Sequence, residues 1–302
     1  MQRRNMLLSA MTAGALATVT GGAAAAPARQ APRRSTVIRT DDGVQLFHCD
    51  WGDGRPVLFV HSWALSSSMW DYQISPLSDQ GLRCIAYDRR GHGRSEATGR
   101  GFDMDTLADD MAIVIEALDL RDVVLVGHSM GGTEILRYIS RHGTDRVAKI
   151  ALLAPSTPFL LQTEDNPHGA PAAFFEQMRA QWVTDFPKWL EDNKRPFFIP
   201  QTSPQMIDWL VTMLLRTPLP VAIETNRVLV QSDVRPALAQ VDRPVLILHG
   251  DKDASAPLEL TGRPTAAGIK GALLKVYEGA PHGLFLTHME QVNSDLLDFI
   301  RA

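Results

Sequence analysis

Val123-Val124-Leu125-Val126-Gly127-His128-Ser129-Met130-Gly131-Gly132 decides how the rest of the chain is read. Four consecutive aliphatic residues describe a strand covered on both faces, because a strand with one wet face would alternate. Gly127 and Gly131 then flank Ser129 at a reversal too tight for larger side chains, and Gly132–His142 continues at helical spacing. A strand that enters a helix through Gly-x-Ser-x-Gly holds its serine hydroxyl above the sheet, near the N–H groups of the helix start. Alone the pattern is short enough to recur by chance. Between a buried strand and a helix it marks Ser129 as a candidate nucleophile.

Outward from that turn, β-branched runs recur at Thr36–Arg39, Gln45–Asp50, Pro56–His61, Arg83–Asp88, Lys149–Leu153, Pro244–His249 and Leu273–Glu278. Val57–Val60 and Val245–Leu248 are apolar throughout, like Val123–Val126. Amphipathic stretches lie between the runs. Asp103–Leu120 places Leu107, Met111, Val114 and Leu118 on one side behind an acidic start, and Gln291–Arg301 reads similarly. Strand and helix in alternation predict an α/β fold: an eight-stranded, mostly parallel, doubly wound sheet. The core is expected over 35–155 and 234–302. Between them, 156–233 is rich in Pro and aromatic residues without a clear strand, and predicts a helical cap over the strand ends, where such sheets bind ligands.

The 302 residues are 45% hydrophobic and 21% charged, with a formal net charge of −4. That is ordinary globular composition. Without a clustered basic face it gives no reason to expect a nucleic-acid partner. The N-terminus differs. Arg3-Arg4 precede an apolar run, Met6–Ala26, that closes on Ala26-Pro27-Ala28. A charged start, a weakly apolar middle and a small-x-small end predict a signal peptide over 1–28, with twin-arginine character, and a linker over 29–34. The mature chain is then expected in the periplasm or outside the cell, without stable membrane insertion. Cys49 and Cys84 read as buried thiols, although an oxidising destination would permit a disulfide.

A serine hydroxyl needs a base to remove its proton and a carboxylate to orient that base, and in this fold they follow in the order Ser, acid, His. The turn after Pro244–His249 supplies Asp251 and Asp253. The turn after Leu273–Glu278 supplies His282, in Gly279-Ala280-Pro281-His282-Gly283. Each lies at the strand end that also carries Ser129. The two acids are alternatives at this point, since a turn Asp often bonds only its own backbone. His61, His92, His128 and His249 read as structural, and Arg89 and Arg90 as partners for nearby acids. No His or Cys spacing suits a metal, and the chemistry calls for no cofactor.

Three segments carry a likeness: His61-Ser62-Trp63-Ala64-Leu65-Ser66, Tyr87-Asp88-Arg89-Arg90-Gly91-His92-Gly93-Arg94-Ser95, and Gly127–Gly132. From Ser35 to Ala302 the chain resembles the α/β-hydrolase superfamily, and within it the cofactor-free haloperoxidase, aryl esterase and lactonase branch. The resemblance implies that Asp253 rather than Asp251 joins Ser129 and His282. It also implies an oxyanion hole from the backbone N–H groups of Trp63 and Met130. The substrate would be a small-molecule ester or lactone cleaved through an acyl-enzyme, and an oligomer is compatible with this. Carbon–carbon bond hydrolysis, perhydrolysis or haloperoxidation on the same triad, and a non-catalytic binding role, are the alternatives. The first loop departs from the branch: Ser62 and Ala64 stand where Gly and Pro are usual, which argues against assuming perhydrolysis.

Overall fold

The structure, a computed structural model, describes residues 35–302; the signal peptide and linker expected over 1–34 lie outside them. The strands are β1 (Val37–Arg39), β2 (Gln45–Trp51), β3 (Arg55–Val60), β4 (Leu82–Tyr87), β5 (Val123–His128), β6 (Val147–Leu153), β7 (Val245–Gly250) and β8 (Leu273–Tyr277). They form one sheet in the order β1-β2-β4-β3-β5-β6-β7-β8. β2 pairs antiparallel with β1 and β4, and every other pairing is parallel. The expected eight-stranded, mostly parallel sheet is the observed one.

The all-apolar strands explain the layers. In β3, Leu58 and Val60 enter one core while Val57 and Phe59 enter the other. β5 divides likewise, Leu125 to the first and Val124 and Val126 to the second. Helices therefore cover both faces. α1 (Asp71–Asp79) packs on the second face; α2 (Met104–Ala117) and α3 (Met130–His142) pack on the first. Asp103 caps α2 by accepting the Thr106 N–H at 2.9 Å. The helix stops at Ala117, short of the expected Leu120, because Asp119 and Asp122 take left-handed backbone angles and turn the chain into β5.

Three longer helices lie between β6 and β7, ahead of a short fourth: α4 (Ala172–Asn193), α5 (Pro204–Arg216) and α6 (Leu219–Gln231). Asp185 leaves the helical region and breaks α4 just ahead of Pro187, whose ring cannot continue the hydrogen-bond ladder. Trp182, Phe186 and Leu190 of α4 and Ala222 of α6 pack with Ala64 in one small core. Short helices α7 (Arg235–Leu238), α8 (Gly262–Gly268) and α9 (Leu284–Thr287) precede the terminal α10 (Met289–Arg301), which packs with α1. Cys49 and Cys84 are free thiols, pushed up by burial to about 11 and about 12.

Candidate active site

Ser129 stands between β5 and α3 with φ 54° and ψ −117°, a strained conformation for a residue with a side chain. The flanking glycines make room for it. A Cβ on Gly131 would lie 2.4 Å from the Val60 carbonyl oxygen, and one on Gly127 would lie 2.7 Å from the Gly131 backbone. Those close approaches start α3 at Met130, two residues before the expected Gly132. The Ser129 N–H donates to the Leu153 carbonyl of β6 at 3.0 Å. Its hydroxyl meets the Ser156 hydroxyl at 3.0 Å. Among the described residues no hydrogen bond joins it to His282. Ser156 escaped the sequence reading; its one signal was its place just beyond the end of β6.

After β7, the two acids of the turn separate. Asp251 Oδ1 accepts the Gly279 N–H at 2.7 Å and so ties two turns together. Asp253 is buried, and its Oδ2 meets His282 Nδ1 at 2.7 Å. Its other oxygen accepts the Ser255 and Ala256 N–H groups at 2.9 and 2.7 Å. Burial opposes ionisation of Asp253. The adjacent His282, the bonds from His249 and His282, and the Ala256 N–H outweigh it and hold the carboxyl well below the usual range. His249 thus touches the acid as well as bonding the Ala256 carbonyl: its Nε2 is 3.2 Å from Asp253 Oδ2. His128, next to Ser129, donates Nε2–H to the His282 carbonyl at 2.9 Å. Burial, reinforced by the neighbouring His282, lowers His128 to about 3, so it is a neutral strut at ordinary pH. Phe197 stands edge-on to the His282 ring, 5.4 Å between centroids.

The loop after β3 borders this site. The Trp63 N–H meets no hydrogen-bond acceptor among the described residues. Met130 is the first helical residue of α3, so its N–H belongs to the unpaired set at a helix start. The Trp63 indole stacks on Trp182 at 4.7 Å and donates Nε1–H to the Ala222 carbonyl at 2.8 Å. Ala64 has φ 54°, and its carbonyl accepts the Thr217 hydroxyl at 2.9 Å. The helices between β6 and β7 thus hold this loop directly.

Arg89 and Arg90 are buried and paired. Arg89 meets Glu134 at 2.6 Å; Arg90 meets Asp110 at 2.6 Å and Asp42 at 3.0 Å. Desolvation pushes the Asp110 carboxyl up to about 6 against the pull of Arg90. Among the described residues no group of three or more His, Cys, Asp or Glu side chains is placed to hold a metal ion.

A strained serine between strand and helix, and a buried Asp–His pair on the next turns, define a hydrolase-type site on an α/β sheet. Residues 55–222 match the family model for the alpha/beta hydrolase fold, and the chain belongs to that family. The chain is 39% identical to a non-heme haloperoxidase of Rhodococcus erythropolis over 88% of its own length and 99% of the relative's. It is 37% identical to a bifunctional esterase/perhydrolase of Acinetobacter calcoaceticus, again over 88% and 99%. An esterase structure from Exiguobacterium antarcticum superposes with a TM-score of 0.86 at 30% identity, over 89% of this chain and all of that one. The chain is an enzyme of the α/β-hydrolase superfamily, among relatives that include esterases and non-heme haloperoxidases.

Proposed function

We propose that this enzyme hydrolyses a small carboxylic ester or lactone through an acyl-enzyme on Ser129. The observation that carries the reading is the buried Asp253–His282 bond at 2.7 Å, tied through the His282 carbonyl to His128, the residue beside Ser129. In the cycle, the Ser129 hydroxyl leaves Ser156 and gives its proton to His282 Nε2 as its oxygen attacks the carbonyl carbon. Asp253 holds the Nδ1–H tautomer and stabilises the imidazolium. The Trp63 and Met130 N–H groups hold the oxyanion. His282 then protonates the leaving alkoxide, and water releases the acyl group by the same proton path. Loss of one oxyanion donor typically costs about 10²–10³ in rate. Export under the N-terminal signal is part of the same proposal, and N-terminal sequencing of the mature protein checks it.

Perhydrolysis or haloperoxidation on the same residues is the second reading, favoured by the relatives. Against it stands Ala64 at φ 54°, since a proline there needs φ near −65°. Carbon–carbon hydrolysis of a keto acid would want a free cation; Arg89 and Arg90 are both engaged with internal carboxylates, which leaves the exposed Arg216 at the end of α5 as its candidate.

A fluorophosphonate probe should label wild type and leave Ser129→Ala unlabelled. That variant should also lose p-nitrophenyl acetate turnover by at least about 10⁴. Equal labelling of the two proteins would end the hydrolase reading. Peroxide-dependent bromination in acetate at a rate above ester hydrolysis would replace it with the second.

A further inference from the structure

We propose that the buried Arg89–Glu134 pair is a positioning device that fixes one oxyanion donor, the Trp63 N–H, relative to the other, the Met130 N–H. The proposal rests on the reading that these two amides hold the oxyanion. It begins at α3. Met130 opens that helix, and Glu134 lies one turn further along it with no exposed surface. Glu134 Oε2 accepts Arg89 Nε–H at 2.6 Å, and its other oxygen accepts the Tyr87 hydroxyl.

The rest of the Arg89 fork turns away from carboxylates and toward the loop. One terminal nitrogen donates to the His61 carbonyl at 2.9 Å; the other stands 3.2 Å from His61 Nδ1 and leans on the Ser62 carbonyl at 3.5 Å. The Arg89 backbone N–H donates to His61 Nε2 at 2.9 Å. That bond fixes the tautomer: Nε2 must be bare, so Nδ1 carries the proton and donates to the Ser62 carbonyl at 2.7 Å. Burial first, and then the Arg89 charge, lower His61 far enough to keep it in this neutral form.

The peptide between Ser62 and Trp63 is planar and trans, so its N–H points opposite to its C=O. His61 holds the Ser62 carbonyl, with the Leu65 N–H at 3.4 Å and Arg89 at 3.5 Å beside it, and this aims the Trp63 N–H the other way, where no described residue offers it an acceptor. One unbroken path runs from Met130 along α3 to Glu134, across to Arg89, and through His61 and the Ser62 carbonyl to Trp63. A pair kept only to fill the core gains little over apolar side chains of equal volume. A guanidinium is planar and donates in several fixed directions at once, whereas a lysine amine cannot reproduce that fork.

The test uses Arg89→Lys and Glu134→Gln in the full chain. Three quantities are read: kcat and KM on p-nitrophenyl acetate well below each thermal midpoint, and the ¹⁵N amide resonances of Trp63 and Met130 with and without an alkyl boronic acid. The boronic acid forms a tetrahedral adduct on the serine oxygen. In wild type both amides should shift on adduct formation. In Arg89→Lys, kcat should fall about tenfold to a hundredfold, short of full donor loss, with KM within about twofold. The Trp63 shift should shrink while the Met130 shift stays. Glu134→Gln still offers an oxygen to Arg89 Nε, so it should show the same pattern more weakly. A folded Arg89→Lys with wild-type kcat and an undiminished Trp63 shift overturns the proposal while leaving the oxyanion reading intact. Should Arg89→Lys not fold, Glu134→Gln decides by the same two readouts. A wild-type Trp63 amide that ignores the adduct overturns the oxyanion reading and the proposal with it.

Discussion

The two sides of the candidate site are built alike at one level and differently at another. Each rests on a buried neutral histidine that holds a neighbouring carbonyl: His128 holds that of His282, and His61 holds that of Ser62. Each also carries a residue at φ 54°, Ser129 on one side and Ala64 on the other. They differ in what maintains that conformation. The Ser129 turn is shaped by its own glycines, Gly127 and Gly131, which permit backbones to approach within contact distance, and is then tied to Leu153 and, through His128, to His282. The His61–Leu65 loop has no glycine. Beyond its internal bonds to the Ser62 carbonyl from His61 and Leu65, it is held by Arg89 on the core side and by Thr217 and Ala222 from the helices between β6 and β7. A locally determined turn and a loop held by distant partners should therefore fail under different perturbations.

The largest effect should come from acid, which attacks what the two sides share. Burial is the first cause that lowers His61, His92 and His128, with charge from Arg89 or a second histidine added to it; the latter two fall to about 3. In the unfolded chain each returns to about 6.5. Between those values the unfolded state binds protons that the folded state refuses, so stability is complete above about pH 6.5 and is lost as pH falls. Each histidine contributes about 1.4 kcal/mol per pH unit in that window. Asp110, raised to about 6, binds its proton more readily when folded and offsets one of the three below that pH. Asp253, held low, adds a further loss below about pH 4 as the unfolded chain takes up its proton. The urea midpoint should fall steeply from pH 6.5 to 4.5. A flat midpoint over that range would show that these histidines are not neutral in the fold.

Gly131→Ala strikes the Ser129 turn first, although its Cβ would also stand 3.2 Å from the His61 carbonyl oxygen at the start of the other loop. Its Cβ would lie 2.4 Å from the Val60 carbonyl oxygen, a backbone atom in the centre of the sheet that cannot yield cheaply. A stability loss of about 1–3 kcal/mol is expected. Turnover should fall further than stability implies, because the shift falls on the peptide units beside Ser129. A fully active Gly131→Ala enzyme would mean that the turn tolerates displacement.

This contrast also sets what could be read from sequence. Gly127-His128-Ser129-Met130-Gly131 declares its geometry because its constraints are its own residues. The apolar runs at Val57–Val60, Val123–Val126 and Val245–Leu248 declared a two-sided sheet for the same reason. Ser129, Asp253 and His282 could be named as candidates because each follows a strand in this order. Residues alone left Asp251 and Asp253 as equals, since both stand in one turn and only the spatial partner separates them. Ser156, Thr217 and Ala222 were beyond reach. They meet Ser129, Ala64 and Trp63 across 27, 153 and 159 positions, through a hydroxyl or a backbone carbonyl with no motif of its own.

The smallest predicted effect tests that last category. Thr217→Val keeps the shape of the side chain and removes the hydroxyl that Ala64 O accepts. An alanine at φ 54° costs roughly 1–2 kcal/mol against a right-handed conformation, and the lost bond is worth about 1 kcal/mol, so the two are nearly matched. Stability should drop by about 1 kcal/mol and Thr217→Ser should restore it. Ala64→Gly removes the strain, because glycine adopts positive φ without a Cβ penalty, so in that background Thr217→Val should lose less turnover. Equal losses in both backgrounds would mean that the hydroxyl stabilises the inserted helices without setting the loop. The Ser62–Trp63 peptide would then owe its direction to the core side only.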